Sequence, residues 1–347
     1  MNEKLIDDLL LLSRRTGERF DLVQSGGGNS SVKTSDGKMY VKASGLRLSD
    51  LSREKGLSLI DNEQLKKDFH STDWTSFDKK GREKKAAEIV GKNCLTPENR
   101  PSIETLLHSF LSGFVIHSHP VVIASAFSDS SVSRKSLFPN IAFVPYRTPG
   151  IDLALAMLES QENYKKEDSK NPEGFILLNH GLVVSGESAE EAFRKTEEIA
   201  EKTEKALGMF FNEEKFSGKI SEVLEEFTGE TFVTVCTDAV SDEVSLNMKP
   251  CFPDGVVFLA AGPLKISKSD DLMKSISDYT KQHTVPPKAF YSMGKLYFSA
   301  KTFSKAKETE EVWRLHHTAS KYSPEQLSED ERFYLTHWEA EKYRQRV

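Results

Sequence analysis

Between Gly113 and Phe127 the chain reads GFVIHSHPVVIASAF, an apolar run rich in Val and Ile that holds two histidines and is broken by Pro120. Such a run reads as a buried strand leading into a helix, and titratable rings inside it need a physical reason, because a buried polar group costs free energy unless it is partnered. Residues i and i+2 of a strand face the same way, so His117 and His119 project side by side while Ser118 turns away. Two neutral imidazoles at that separation suit one ion of zinc, iron, copper or nickel. A hydrogen-bonded pair of core or rim histidines fits the same spacing.

The 347 residues suffice to bury a sizeable core, as one large domain or two. A net charge of -6 with both signs interspersed leaves no basic face, which argues against nucleic acid or an anionic membrane as a partner. Cys94, Cys236 and Cys251 are scattered and odd in number, so neither a disulfide framework nor a thiolate metal site is expected, and a reducing compartment is implied. The opening MNEKLIDDLLLLSRRTG has too short an apolar stretch to span a bilayer and is acidic where a signal peptide would be basic. It reads as an amphipathic helix, and with no other membrane candidate the cytoplasm is the expected location.

Ser25 to Leu51 reads as glycines followed by a hairpin, with Asp36-Gly37 reversing the chain between Ser31-Val-Lys-Thr and Met39-Tyr-Val-Lys. Phosphate loops of the Walker and Rossmann types need a helix after their glycines, and Gly26-Gly27-Gly28-Asn29-Ser30 lacks their spacing as well. Asp78 to Arg100 reads as a charged surface excursion and Gln161 to Gly174 as an exposed loop. Gly174 to Gly186 is a hairpin-like apolar run interrupted by His180-Gly181, and Ser188 with Glu191 then forms a capping box for a helix to about Leu207. The pattern loosens from Gly208 to Lys219, which sets the expected division at 1–210 and 211–347. Beyond it, Phe290 to Val312 echoes the rhythm of Phe175 to Ile199 without a histidine in the place of His180, as a degenerate repeat would.

His117, His119 and His180 all fall on expected strands, and three neutral nitrogens with one open position is the arrangement of a catalytic zinc site. Arg100-Pro-Ser-Ile-Glu-Thr-Leu-Leu-His108 reads as a helix start with Ser102 as N-cap and Glu104 in the first turn. Glu104 there is either a solvated carboxylate or, if the helix end faces the metal, a functional one. His108, four residues on, shares its helix face and either orients it or fills the core. Tyr146 in VPYRTPG reads as a packing residue or a proton donor near the site, whereas His316, His317 and His337 lie in charged helical sequence and are expected at the surface.

GGGNSSVK, VKASG, RPSIETLLH, HSHP, VPYRTPG and LLNHGLVVSG occur in one order between Leu5 and about Leu207. In this the chain resembles the class II aldolase/adducin family. The wording PSIETLLH, together with Phe333-Tyr-Leu-Thr-His-Trp-Glu-Ala-Glu-Lys342, is most similar to the aldolase part of bifunctional rhamnulose-1-phosphate aldolase/dehydrogenase proteins, without their dehydrogenase half.

The resemblance implies a three-layer α/β/α fold with a mostly antiparallel central sheet, followed here by a C-terminal α+β extension. It also implies a divalent metal, usually zinc, on His117, His119 and His180, with Glu104 as the catalytic acid/base. The implied reaction is reversible aldol cleavage of a ketose 1-phosphate through an enediolate, giving dihydroxyacetone phosphate and an aldehyde, by a homo-oligomer. Asn29, Ser44, Gly45 and Ser102 would bind the phosphate by motif position, with Gly28 beside them, although these glycines serve a tight turn equally well. Many relatives carry a second serine where this chain has Ile103, a departure that removes one of the hydroxyls the resemblance would bring to the phosphate. An epimerase or dehydratase would use the same scaffold, and an adducin-like interaction module would lack the metal histidines.

Overall fold

The computed structural model describes residues 2–126, 134–267 and 270–337, so position 127 and the motif residues 338–342 lie outside it. The chain forms two compact units, Met1–Phe210 and Phe211–Val347. The first is built on seven strands: β1 (Asn29–Lys33), β2 (Lys38–Lys42), β3 (Leu57–Asp61), β4 (Phe114–Ser118), β5 (Ile141–Val144), β6 (Gly174–Leu177) and β7 (Gly181–Gly186). They lie in the order β3-β2-β1-β4-β7-β6-β5, antiparallel throughout except for the β5–β6 pair. The β1–β2 hairpin turns at Gly37, whose φ of 78° is strained for any residue with a Cβ.

Helices Asn2–Gly17, Val121–Ala126 and Ala189–Leu207 cover one face of this sheet, and Asn62–His70, Lys79–Lys92, Thr105–Ser109 and Ile151–Asp168 cover the other. This is a three-layer α/β/α arrangement. Strand alternation decides what each layer receives. In β4, Val115 joins the core under helix Ile151–Asp168, and His117, two residues on, faces the same layer. A strand period of two thus delivers an imidazole to a layer otherwise closed by Leu107, Val144, Met157 and Phe175.

Several expected loops are helical. Ala86, Ile89 and Val90 recur at helical spacing within the charged Lys79–Lys92 stretch and dock that helix, so its charges occupy only the outer faces. Helix Ile151–Asp168 runs through most of the supposed loop at 161–174 and stops at the left-handed Ser169. Gly208 ends helix Ala189–Leu207 in the same way, and a new helix starts at Asn212, inside the segment read as loose. His316 and His317 are 0% and 8% exposed, because the helix carrying them, Phe303–Ser320, turns that face inward toward Ser245. His337 is half-buried.

The second unit holds β8 (Val233–Thr237), β9 (Leu264–Lys265), β10 (Ala289–Ser292) and β11 (Lys295–Ala300) in the order β8-β11-β10-β9. Its pairing senses, antiparallel, antiparallel and parallel, are those of β4-β7-β6-β5. Its cores gather Ile220, Leu224, Phe290 and Tyr297 in one cluster and Leu259, Phe298 and Trp313 in another.

Gly113 fixes the register at the start of β4. Its φ is 63°, and a Cβ there would lie 2.2 Å from the carbonyl oxygen of Gly186 on β7. Gly113→Ala is expected to destabilise the first unit by at least about 1–3 kcal/mol, measured by urea unfolding. An unchanged midpoint would contradict this β4–β7 register.

Candidate metal centre

Three segments bring the histidines together. His117 ends in β4 beside Asn29 of β1, its registered partner across the ladder. His119 follows β4, and its backbone is held by residues 22–24: its N–H donates to the Leu22 carbonyl at 2.9 Å, and the Gln24 side-chain amide donates to its carbonyl at 3.2 Å. A buried Arg19–Asp21 ion pair at 2.6 Å braces that segment from the side. His180 stands in the three-residue turn between β6 and β7, not in a strand as the apolar run suggested, because Asn179 takes a left-handed φ of 57° and reverses the chain early.

The three rings meet with Nε2 atoms inward: His117 to His119 at 3.0 Å and His117 to His180 at 3.3 Å. Ring centroids are 4.8–5.1 Å apart and no two planes are parallel, so the nitrogens converge without the rings stacking. The His117 Nδ1–H donates to the Leu182 carbonyl at 3.0 Å, which leaves Nε2 as a lone pair facing the centre. Burial lowers the pKa of His117 and of His180 to about 4 and that of His119 to about 3, with mutual repulsion adding to the effect at His119 and His180. All three are therefore neutral at pH 7.

Glu104 borders the cluster, 7% exposed. Its Oε1 lies 3.4 Å from His180 Nε2 and its Oε2 3.6 Å from His117 Nε2. Oε1, like His180 Nδ1, is buried without a hydrogen-bond partner, which is costly unless another group supplies one. The helix begins two residues later than its sequence suggested. Glu104 occupies the N-cap position of Thr105–Ser109, and Ser102 Oγ accepts from the Glu104 N–H at 3.2 Å, so the carboxylate is freed from the first turn and aimed at the histidines.

Glu104 Oε2 accepts from Asn29 Nδ2 at 2.7 Å, and the same amide donates to Ser102 Oγ at 3.3 Å. Asn29 Oδ1 accepts from His108 Nε2, and His108 Nδ1 accepts from Ser31 Oγ at 2.9 Å. His108 is fully buried and so acts on Glu104 through Asn29. Asn29, expected at a phosphate, has its amide committed to this chain instead.

Ser44 and Gly45 are exposed; Gly45, at φ 86°, faces open space, whereas the Ser44 N–H is taken by the Arg100 carbonyl. Gly28 is explained by packing: a Cβ there would lie 2.7 Å from the His117 carbonyl. Tyr146 is 55% exposed, and no hydrogen bond or ion pair among the described residues ties it to the cluster, so neither the packing role nor a contact with the site is realised.

Three positions escaped the sequence reading. A Cβ on Gly181 would lie 2.2 Å from the Ser118 carbonyl oxygen, 3.0 Å from the His119 ring and 3.2 Å from the His117 ring, and one on Gly27 would lie 2.7 Å from His119 Nδ1. Both glycines make room for imidazoles, which their chain neighbours do not reveal. Lys42 is 3% exposed, and burial lowers its pKa while the nearby Glu104 charge opposes that shift. The only signal was a lysine at the buried end of VKASG.

Residues 7–207 match the family model described as the class II aldolase and adducin N-terminal domain. The chain belongs to the class II aldolase/adducin family. Over 242 residues it is 31% identical to "Uncharacterized oxidoreductase YuxG" of Bacillus subtilis (strain 168), covering 64% of this chain and 32% of that one, so it spans about a third of that relative's length. The N-terminal class II aldolase domain of a conserved protein from Thermoplasma acidophilum aligns at TM-score 0.49 with 28% identity, over 58% of this chain and 93% of that one. The L-fuculose-1-phosphate aldolase from Thermus thermophilus aligns at TM-score 0.40 with 16% identity, over 60% and 95%. Class II aldolases are generally dependent on a divalent metal, and the histidine triad here has the donor set to bind one. Among the described residues no helix is long and apolar enough to cross a membrane.

Two outcomes follow from the packing and charge of this centre. Gly181→Ala is expected to displace the Ser118 carbonyl together with the His117 and His119 rings and so to weaken the affinity of the triad for a divalent ion by about tenfold or more, read with zinc as the probe by competition with a chromogenic chelator. The metal-free protein is expected to lose stability as pH falls from about 6.5 toward 4. In that window the unfolded chain takes up protons that the folded histidines refuse, so the folded state is fully favoured only above it. Urea midpoints at pH 7 and pH 5 should differ more in the wild type than in His119→Ala.

Proposed function

We propose that this chain is a metal-dependent aldolase that cleaves a ketose 1-phosphate reversibly to dihydroxyacetone phosphate and an aldehyde. One observation carries the reading: three neutral imidazoles with ligand atoms within 4.8 Å of one another, bordered by a buried carboxylate. His117, His119 and His180 would hold the divalent ion, and zinc suits an all-nitrogen set that leaves a position for substrate. When bound, the ion supplies Lewis-acid stabilisation of the negative charge left on the ketose fragment as a carbon–carbon bond breaks.

Cleavage releases a proton from the hydroxyl that becomes the aldehyde and requires one at the carbon left behind. We assign the second transfer to Glu104. The Asn29 amide supports this, because it holds Oε2 and leaves Oε1 directed at the histidines. Gly45, open to solvent with no neighbouring atom to block an anion, supports a phosphate position shared with Ser44 and Ser102, while Asn29 contributes by holding Ser102. Glutamate at position 104, where epimerase relatives carry aspartate, favours the aldolase over an epimerase or dehydratase, and the complete triad disfavours a non-catalytic adducin-like role. Three free thiols are consistent with the cytoplasm, and Phe20 and Ile103, each more than half exposed, are consistent with a homo-oligomer.

For the second unit we propose a degenerate copy of the β4-β7-β6-β5 half. In support, β8 and β11 pair in the register of β4 and β7, with Cys236 opposite Tyr297 where His117 lies opposite Val183. The β10–β11 turn is one residue shorter than the turn carrying His180. One metal ion per chain is therefore expected, by elemental analysis.

The decisive experiment measures metal content and then screens ketose 1-phosphates for release of dihydroxyacetone phosphate. His119→Ala should lose metal and activity together. Glu104→Gln should keep the metal and lose turnover by about 10²–10⁴-fold. Activity retained in both variants would remove the mechanism.

A further inference from the structure

The second unit contains a cavity of about 240 Å³ that the metal chemistry does not use, and none of its lining residues belongs to the metal centre. Its walls are Phe232, Phe258, Pro286, Pro287 and Ala300, and its charged lining is Lys288, Lys301 and Lys305 against Glu230 alone. We infer that this cavity binds a small organic anion, a carboxylate or phosphate monoester on a single-ring or short apolar body.

Each part of that description has its own source. The volume is below the roughly 300–1,000 Å³ of sites that enclose drug-sized ligands, which limits the occupant to about one ring. The two phenylalanines, 8% exposed each, and the two prolines give it apolar surface to cover, so a bare inorganic ion would forgo most of the contact. The lysines set the sign. Lys301 lies 4.4 Å over the Phe232 ring and pairs with Glu230, and Lys305 lies 3.0 Å from Glu308. Lys288 is different. It follows Pro286-Pro287, whose fixed φ angles stiffen its approach, and its ammonium donates to the Val257 carbonyl at 2.6 Å. Its burial pushes its pKa down to about 8, which is the condition an anion would relieve.

The test titrates the metal-loaded full chain by calorimetry with phenyl phosphate and benzoate, and with inorganic phosphate and phenol as probes of charge alone and ring alone. At least one of the two organic anions should bind about tenfold or more tightly than inorganic phosphate and phenol. Lys288→Met and Lys301→Met should each weaken that binding about tenfold, with Lys301 at the rim serving as the variant least able to disturb folding. His119→Ala should leave it unchanged. Absence of binding by both organic anions, equal affinity in both lysine variants, or loss of binding in His119→Ala would overturn the inference, the last by moving the anion to the metal centre.

Discussion

The centre depends on keeping three imidazoles uncharged where water is scarce. Removing a histidine from water disfavours its cation, and crowding three rings adds repulsion, so the apolar sheet beneath His117 is itself what keeps these nitrogens neutral and able to donate a lone pair. The same burial demands tight packing. Gly181 and Gly27 lie against the rings because no side chain would fit, and the Leu182 carbonyl selects the His117 tautomer. Strand alternation, ring neutrality and glycine contacts are thus one constraint seen at three scales.

A second constraint acts on the carboxylate. A glutamate buried beside neutral rings needs donors, and Asn29 provides one only because its own orientation is set from behind by His108, which Ser31 holds in turn. Such chains strengthen each member in a low dielectric and make a half-satisfied arrangement expensive. Four segments, β1, the 102–104 turn, the short helix that follows and β4, must therefore be correct together before Glu104 can face the histidines. That cooperativity explains why a helix of only five residues is buried along its whole length.

The triad was legible because histidines in apolar runs conflict with the hydrophobic pattern around them, and such conflicts are conspicuous in a single sequence. The β1–β2 turn was legible from Asp36-Gly37 for a similar reason, since few residues tolerate the geometry. The helix Lys79–Lys92 is hidden in the sequence because its apolar stripe, Ala86, Ile89 and Val90, is narrow among many charges. His316 and His317 were misplaced on the same ground: helical sequence that is charged on average still has one buried face. The contacts of Asn29 could not be read at all. They join residues 73 to 79 positions apart, and only the β1–β4 register brings them into reach.

The two units show how little of the chemistry resides in the backbone. Both contain four strands with the same pairing senses and the same register between the strand bearing His117 or Cys236 and its longer neighbour. In one, the strand end carries His117 and His119 toward a turn long enough to add His180. In the other, the corresponding stretch reads Cys236-Thr237-Asp238, the turn is shorter, and Tyr297 fills the interior opposite Cys236. A buried phenol at that register occupies space that valine leaves to an imidazole in the first unit. Burial raises the Cys236 thiol pKa to about 12, so at neutral pH it remains a thiol and offers no anionic ligand. The same strand frame therefore carries a cluster of three imidazoles in one unit and a closed core in the other, the difference lying in side-chain volume, protonation and one turn residue.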